Sequence, residues 1–325
     1  MSMPDFQLLR PTTAADAVAM RAANAASRYI AGGTDLLPNI RRGLAEPGVV
    51  IDLGGIAELA HIDFGTDALR IGAGTTLAAI AGDATIRARY TALAEAAEAV
   101  AGPTHRAAAT LGGNLCLDTR CVYYNQSEFW RESNDYCMKL KGEGCRVAKK
   151  SKRCYAAFSG DVAPALIALA AEIEILGPKG SRRVASADFY RDDGMAWLTL
   201  APDELLVGVH VPLHEGWTSA YEKVRVRGAI DFPLAGVAVA LKRKGNAIDD
   251  LRIACTGVAS RPLAVDGLAE LKGKPLDAAA LAVITAQTEI AAGAMRTTVV
   301  DMLYRRGVAP VLARRITERL WNAAA

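Results

Sequence analysis

Four of the six cysteines lie in one short stretch of the chain. They are Cys121, Cys137, Cys145 and Cys154, spaced as C-x15-C-x7-C-x8-C. Four thiolates match both a tetrahedral zinc ion and a [4Fe–4S] cluster in number. Zinc sites usually carry C-x2-C pairs, which are missing here, so the spacing mildly disfavours zinc and leaves both metals open. Four unrelated free thiols are the third alternative.

The residues between these cysteines are poor in aliphatic side chains, so the stretch needs other sources of stability. Ordering one residue costs about 1–2 kcal/mol of backbone entropy, whereas a four-thiolate metal site supplies on the order of 10–16 kcal/mol. We expect the remainder to come from aromatic side chains that pack on the rest of the protein. These are Tyr123, Tyr124, Phe129, Trp130 and Tyr136. The sequence therefore predicts a docked excursion rather than an independent domain.

Two paired-glycine turns could bind an anion. In "AGGTDLL", residues 31–37, Gly32 and Gly33 lie between a predicted strand and a predicted helix; "TLGGN", residues 110–114, repeats the pattern. Backbone N–H groups approach phosphate oxygens closely at such turns. Together they predict sites for the two phosphates of a dinucleotide. A third turn, "IGAGTTLAA", has Leu77 in place of the last glycine of the Rossmann fingerprint, so an NAD-binding Rossmann fold is not predicted.

The composition is that of a globular protein of about two domains. The chain has 325 residues, of which 51% are hydrophobic. No apolar run approaches the ~20 residues of a membrane span, and the N-terminus lacks a secretory leader pattern. We therefore expect a cytoplasmic protein without membrane association. Disulfides are rare in that compartment, so clustered cysteines indicate a metal site.

The positive charge is concentrated around the cysteines. The whole chain carries +3, but residues 120–154 contain nine Lys and Arg against four Asp and Glu. A local basic surface attracts acidic partners. Together with the aromatic side chains, it also allows the hypothesis of a zinc module that binds nucleic acid. We regard that hypothesis as the weaker one and expect no nucleic-acid partner.

The element pattern predicts an α+β protein with a boundary near residue 216. Before it, short strands alternate with glycine turns and helices. After it, "YEKVRVRG" and "LAGVAVALKRKGNAIDDLRIACTGVAS" predict antiparallel strands, with a hairpin turn at Gly245 and Asn246. The remaining C-terminal residues are predicted to be helical apart from a short break.

Several motifs, in this order, resemble those of a known family. "AGGTDLLP", "RIGAGTT", "ATLGGN", "SGDVAPALIAL" and "YEKVRVRGAIDFPLAGVAVAL" are similar to segments of the FAD-binding medium subunits of molybdenum hydroxylases. The resemblance covers nearly the whole chain. It implies a two-subdomain, PCMH-type FAD-binding domain over residues 1–215. It also implies a C-terminal domain of CO dehydrogenase flavoprotein type over residues 216–325, made of an antiparallel sheet plus helices.

The same resemblance implies the residues that contact FAD. The pyrophosphate would lie on the two glycine turns, an aspartate would hydrogen-bond the cofactor, and a valine and a lysine would lie near the isoalloxazine ring. The implied residues are Tyr29, Ile30, Ala31, Gly32, Gly33, Thr34, Asp35, Leu36, Val100, Thr110, Leu111, Gly112, Gly113, Asn114, Asp161, Val207 and Lys223. No catalytic acid, base or nucleophile is expected in this chain.

The stretch of about 117–157, called the cysteine segment below, departs from most of the family as an insertion. It resembles the insertion in the β subunits of 4-hydroxybenzoyl-CoA reductases, which binds a [4Fe–4S] cluster. That implies electron transfer from reduced ferredoxin to FAD, and on to [2Fe–2S] and molybdenum centres of a small and a large partner subunit in a dimer of heterotrimers. The implied reaction is reductive dehydroxylation to benzoyl-CoA in anaerobic aromatic degradation. The alternative within the family is a hydroxylase that passes electrons out to NAD or a quinone.

Overall fold

The computed structural model describes residues 3–323 and begins with a small α/β subdomain. Its elements are β1 (Gln7–Leu9), α1 (Ala14–Ala23), β2 (Arg28–Ile30), α2 (Leu36–Arg41) and β3 (Val49–Asp52). The three strands form a parallel sheet in the order β1-β3-β2. Thr13 begins α1 by accepting a hydrogen bond from the Asp16 N–H, as expected of a threonine N-cap. The first paired-glycine turn connects β2 to α2, as predicted.

The second subdomain combines an antiparallel sheet with short helices. Its elements are β4 (Ile62–Phe64), β5 (Ala68–Gly72), α3 (Leu77–Gly82), α4 (Ala84–Arg89), α5 (Thr91–Ala99), α6 (Pro103–Ala108), α7 (Leu111–Leu115), α8 (Glu128–Glu132), α9 (Val162–Ala168), β6 (Glu172–Gly177), β7 (Gly180–Ala185) and β8 (Leu205–Pro212). The sheet order is β4-β5-β8-β6-β7. Alternate residues of β5, β6 and β8, such as Leu69, Ile173 and Val209, are buried against the helices, as the two-residue period of a strand requires.

The C-terminal part is a four-stranded sheet covered on both faces. Its elements are β9 (Trp217–Val224), β10 (Ala235–Lys244), β11 (Ala247–Thr256), β12 (Leu263–Ala264), α10 (Ala278–Ala291) and α11 (Met302–Ala323). The strands pair as β12-β11-β10-β9, and all contacts are antiparallel. The predicted hairpin at Gly245 is present, with φ of +59° at that glycine.

Residues of β10 alternate between two cores. Val237, Val239 and Leu241 pack in the core that contains α10 and α11. Ala238 and Ala240 face α5 and α9 of the preceding subdomain. Because alanine projects little beyond the backbone, this face of the sheet can lie close to those helices. The small side chains therefore fix how the C-terminal sheet is placed against the rest of the protein.

The cysteine segment is closed at its base and attached to its surroundings. Arg120 and Ala157 exchange two backbone hydrogen bonds of 2.7 Å, and α8 is the helix within the segment. The segment contacts the loop at Gly194 and the C-terminal part at Thr297 through backbone hydrogen bonds. The docked excursion that the sequence predicts is thus present.

The predicted α+β class and its two-part architecture are confirmed. One strand is shorter than the pattern suggested: β9 ends at Val224, and residues 225–233 form a loop, because Asp231 folds back on the Arg227 N–H at 3.0 Å.

Within residues 3–323, no helix is long and apolar enough to cross a membrane.

Candidate functional site

The first glycine turn has the properties of an anion site. Among residues 3–323, no acceptor is bonded to the backbone N–H groups of Gly32, Gly33 or Thr34. These residues border an open pocket of about 470 Å³ that also touches Arg41 and Arg42. Gly33 has φ of +70°, a conformation that L-side chains rarely adopt. Open N–H groups beside two guanidinium groups can bind a phosphate.

The two glycine turns lie side by side. A Cβ on Gly32 would collide with the carbonyl oxygen of Ala108, at the end of α6 and shortly before the second turn. On that second turn, Gly112 lies close to Ala73, where a Cβ would approach the Ala73 Cβ to 2.9 Å. Both positions therefore need glycine because of close packing. The structure thus brings together the two motifs that the sequence analysis assigned to one dinucleotide.

The second turn differs from the first in how its N–H groups are used. The N–H groups of Leu111 and Gly112 donate to Thr75 and Ala73, and that of Gly113 donates to the Thr110 hydroxyl. The Asn114 N–H donates to the Thr110 carbonyl. The expectation that this turn presents free amides to a phosphate is therefore wrong for these four groups. Its role in cofactor binding stays a prediction.

Asp161 and Lys223 form a buried ion pair between the two parts of the chain. The Lys223 Nζ lies 3.0 Å from the Asp161 carboxylate, and the Tyr221 hydroxyl donates to the same carboxylate at 2.6 Å. Each charged side chain is 4% exposed. Burial raises the pKa of Asp161, and the neighbouring Lys223 opposes that rise. Asn114 is adjacent, because its side-chain oxygen accepts from the Val162 N–H at 3.1 Å.

The remaining residues implied by the resemblance lie around these turns. Tyr29 and Val207 both pack against one apolar cluster under the first subdomain. Burial raises the pKa of Tyr29 to about 12. Val207 also accepts a hydrogen bond from the Ala73 N–H at 2.9 Å, which places it behind the second turn. Val100 ends α5 and is half-buried at the edge of the main core.

All four clustered cysteines border one small pocket with a cavity volume of about 10 Å³. Cys121, Cys145 and Cys154 are buried, and Cys137 is half-buried. Burial raises the pKa of Cys121 to about 11 and that of Cys154 to about 12, with smaller contributions from neighbouring thiols. These two thiols are therefore protonated at neutral pH, and a bound metal would have to displace their protons. Within residues 3–323, no group of three or more His, Cys, Asp or Glu side chains is arranged to hold a single metal ion.

Two buried cations accompany these thiols. Lys139 donates to Asp118 at 2.7 Å and to the Gly194 carbonyl at 2.8 Å, and its charge acts on Cys154. Arg305 is buried and interacts electrostatically with Cys121. Such cations would partly offset the negative charge of thiolates. Neither cation belongs to a sequence motif, so the sequence alone does not reveal them.

The aromatic side chains of the segment dock only in part. Tyr124 is buried and donates to the Leu44 carbonyl at 3.5 Å, whereas the Tyr136 hydroxyl donates to Glu128 within the segment. Tyr123 and Trp130 contact each other, with ring centroids 6.3 Å apart. The expectation that Phe129 docks is wrong: it is 79% exposed, because α8 presents it to solvent.

Comparison with known proteins identifies the family. A family model described as the FAD binding domain in molybdopterin dehydrogenase matches residues 4–214. The chain belongs to the FAD-binding medium subunits of the molybdenum hydroxylase family. A second model, the CO dehydrogenase flavoprotein C-terminal domain, matches residues 219–320. The boundary near residue 216 remains our proposal, and it falls between these two ranges.

Two relatives and two solved structures show the extent of the similarity. The aldehyde oxidoreductase FAD-binding subunit of Escherichia coli is 33% identical over 81% of this chain and 85% of its own length. The carbon monoxide dehydrogenase medium chain of Afipia carboxidovorans is 30% identical over 97% and 96%. Structures of a cyanide-inactivated Cu,Mo-CO dehydrogenase and of a reconstituted CO dehydrogenase from Oligotropha carboxidovorans each give a TM-score of 0.82, at 28% and 29% identity over 100% of both chains. This medium subunit is therefore part of an oxidoreductase.

Proposed function

We propose that this medium subunit binds FAD and a [4Fe–4S] cluster and serves electron transfer in a 4-hydroxybenzoyl-CoA reductase. The observation that carries the proposal is the convergence of Cys121, Cys137, Cys145 and Cys154 on one pocket inside a docked insertion. The choice of reductase rests on the resemblance of that insertion. The substrate would bind on a partner subunit, and this chain would supply no catalytic group.

The choice of a [4Fe–4S] cluster over zinc rests on the sequence. The cysteine spacing lacks the C-x2-C pairs that zinc sites usually carry, and the insertion resembles one that binds a cluster. Four thiolates that line a common pocket match either metal group in number. Elemental analysis therefore has to distinguish iron from zinc, and zinc would favour the module that binds nucleic acid.

FAD is proposed to contact the residues named by the resemblance. The first turn would bind the pyrophosphate through the N–H groups of Gly32, Gly33 and Thr34, with charge from Arg41 and Arg42. The segments 29–36 and 110–114, together with Val100, Asp161, Val207 and Lys223, complete the proposed set. When bound, FAD supplies one- or two-electron chemistry and the cluster one-electron chemistry. The protein would hold both groups, and it already buries the side chains of Cys121, Cys145 and Cys154.

The proposed assembly contains a large molybdenum-binding and a small [2Fe–2S] subunit, with reduced ferredoxin as the donor. The names of the relatives support a multi-subunit enzyme, since they are called subunits or medium chains. The basic character of residues 120–154 supports an acidic partner protein. The cytoplasm is the proposed location.

Metal and flavin analysis tests the proposal. Anaerobically purified protein is expected to contain FAD, iron and acid-labile sulfide, with about four irons per chain. The Cys137→Ser variant should lose the cluster, whereas Cys116→Ser should retain it. Cys116 is a matched control because both thiols are half-buried and Cys116 does not line the pocket. FAD without iron, or zinc in place of iron, would contradict the proposal.

A second candidate keeps the family and reverses the electron flow. Relatives named aldehyde oxidoreductase and carbon monoxide dehydrogenase favour an enzyme that oxidises its substrate. In this candidate, the electrons would pass out to NAD or a quinone. Steady-state assays of the complete enzyme separate the two candidates. The reductase should convert 4-hydroxybenzoyl-CoA with reduced ferredoxin, whereas a hydroxylase should reduce NAD or a quinone with an oxidisable substrate.

A further inference from the structure

We infer that Arg120 is a positioning residue that makes FAD binding depend on whether the cysteine segment is ordered by its cluster. The inference rests on the proposed cluster. Arg120 directly precedes Cys121 and forms an ion pair with Asp35, the residue that follows the first glycine turn. It therefore joins the two proposed cofactor sites through one side chain.

The contacts of Arg120 fix helix α2 from its first turn. Its guanidinium donates to the Asn39 side chain at 3.1 Å, and Asn39 donates to Asp35 at the same distance. The Arg120 side chain is 11% exposed. Its guanidinium also lies 5.2 Å from the ring centroid of Phe232 in the loop 225–233. One buried cation thus contacts both α2 and the loop after β9.

The backbone at Arg120 is set by the cysteine segment. Its N–H and carbonyl pair with Ala157, three residues after Cys154, and Cys121 follows directly. Two other contacts reach the end of α2: Arg131 donates to the Arg42 carbonyl at 2.6 Å, and Tyr124 donates to that of Leu44. When the proposed cluster holds all four cysteines, the donor side chains of Arg120, Arg131 and Tyr124 have fixed positions. Without that group, one small apolar cluster around Leu44, Tyr124 and Ala156 is left to hold the segment in place.

The charges around the first glycine turn predict that the cluster strengthens FAD binding. Asp35 places a carboxylate next to a turn that is proposed to bind phosphates, and like charges oppose one another. Arg120 neutralises that carboxylate. It also orders the turn before FAD arrives, so that less conformational entropy is lost on binding. A loaded cluster is therefore expected to tighten FAD binding, and by reciprocity bound FAD stabilises the cluster.

FAD titrations of four protein forms test the coupling. The dissociation constant is measured by flavin fluorescence with wild type and Arg120→Met, each before and after reconstitution with iron and sulfide. In wild type we expect reconstitution to tighten binding by about fivefold or more, the lower end of typical allosteric coupling. In Arg120→Met the affinity should be weak in both forms, and Arg120→Lys should restore part of the coupling.

Arg153→Met is the matched control. Arg153 also directly precedes a clustered cysteine and pairs with an aspartate, Asp192, but that aspartate lies in the loop 190–194 rather than beside the glycine turn. This variant should keep the wild-type coupling. Equal FAD affinity of wild type with and without iron, or equal coupling in Arg120→Met and wild type, would overturn the inference. Failure of wild type to take up iron would instead refute the proposed function, which the iron and sulfide assay reports separately.

Discussion

Removing the amine of Lys223 should destabilise the protein far more than removing an exposed lysine. In Lys223→Met the Asp161 carboxylate stays buried and keeps the Tyr221 hydroxyl as a partner. Removing one member of a buried ion pair lowers the free energy of unfolding by about 3–5 kcal/mol. Because the hydrogen bond from Tyr221 remains, we expect a loss near the lower end, about 3 kcal/mol. The pair joins α9 to β9, so the loss also weakens the contact between the two parts of the chain.

The loss of stability in Lys223→Met should become smaller as the pH falls. Burial already raises the pKa of Asp161 in the folded protein, and removing Lys223 raises it further. A carboxyl group whose folded-state pKa exceeds its unfolded value binds protons more readily when folded, so stability rises as the pH falls through the folded-state pKa. The difference between Lys223→Met and wild type should therefore shrink between pH 7.5 and pH 5.

Urea unfolding of the FAD-free protein, followed by tryptophan fluorescence, measures this effect without cofactor contributions. Lys242→Met is the matched control, because Lys242 lies 3.9 Å from Asp249 and these side chains are 38% and 32% exposed. Its loss should cost less than about 1 kcal/mol. Lys223→Met combined with Asp161→Asn should recover much of the deficit. Equal losses of unfolding free energy for the two lysine variants, or a loss in Lys223→Met that grows as the pH falls, would contradict this account of the buried ion pair.

Three further predictions concern single positions. Gly32→Ala should weaken FAD binding about tenfold or more in a fluorescence titration, because the new methyl group has no room, whereas Gly48→Ala, with nothing within 4 Å, should bind normally. Glu204→Gln should cost about 0.5–1 kcal/mol at pH 7 in urea unfolding, since Arg182 lowers the pKa of Glu204. The stabilisation by this ion pair is present above the unfolded-state pKa of Glu204, about 4.5, and is lost as the pH falls through its lower folded-state pKa. A difference in unfolding free energy between Glu204→Gln and wild type that stays constant down to pH 3 would contradict this prediction. Phe129→Ala should change the free energy of unfolding by less than about 0.5 kcal/mol, and a larger loss would show that this exposed ring does pack.

Features that depend only on neighbouring residues could be predicted from the sequence. Paired glycines between a strand and a helix define the turn at Gly32 and Gly33, because only glycine permits both the close approach and the positive φ found there. The segment "LAGVAVALKRK" was predicted to be a strand and forms β10, and the hairpin at Gly245 followed from its turn residues. The cysteine spacing indicated a common site, but spacing along the chain contains no information on where sulfur atoms lie in space.

Contacts between residues far apart in the sequence become visible only in the folded structure. The Arg120–Asp35 pair, the cations near the thiols and the Asp161–Lys223 pair join residues far apart in sequence, and their types alone would fit any surface salt bridge. The same holds for the second glycine turn, where the N–H groups of Leu111 and Gly112 donate to Thr75 and Ala73 of another segment. Exposure likewise distinguished Tyr124 from Phe129, which are both aromatic residues of one segment. Local patterns fix backbone conformation, whereas burial and charge pairing arise from long-range packing, and these decide how the candidate sites are connected.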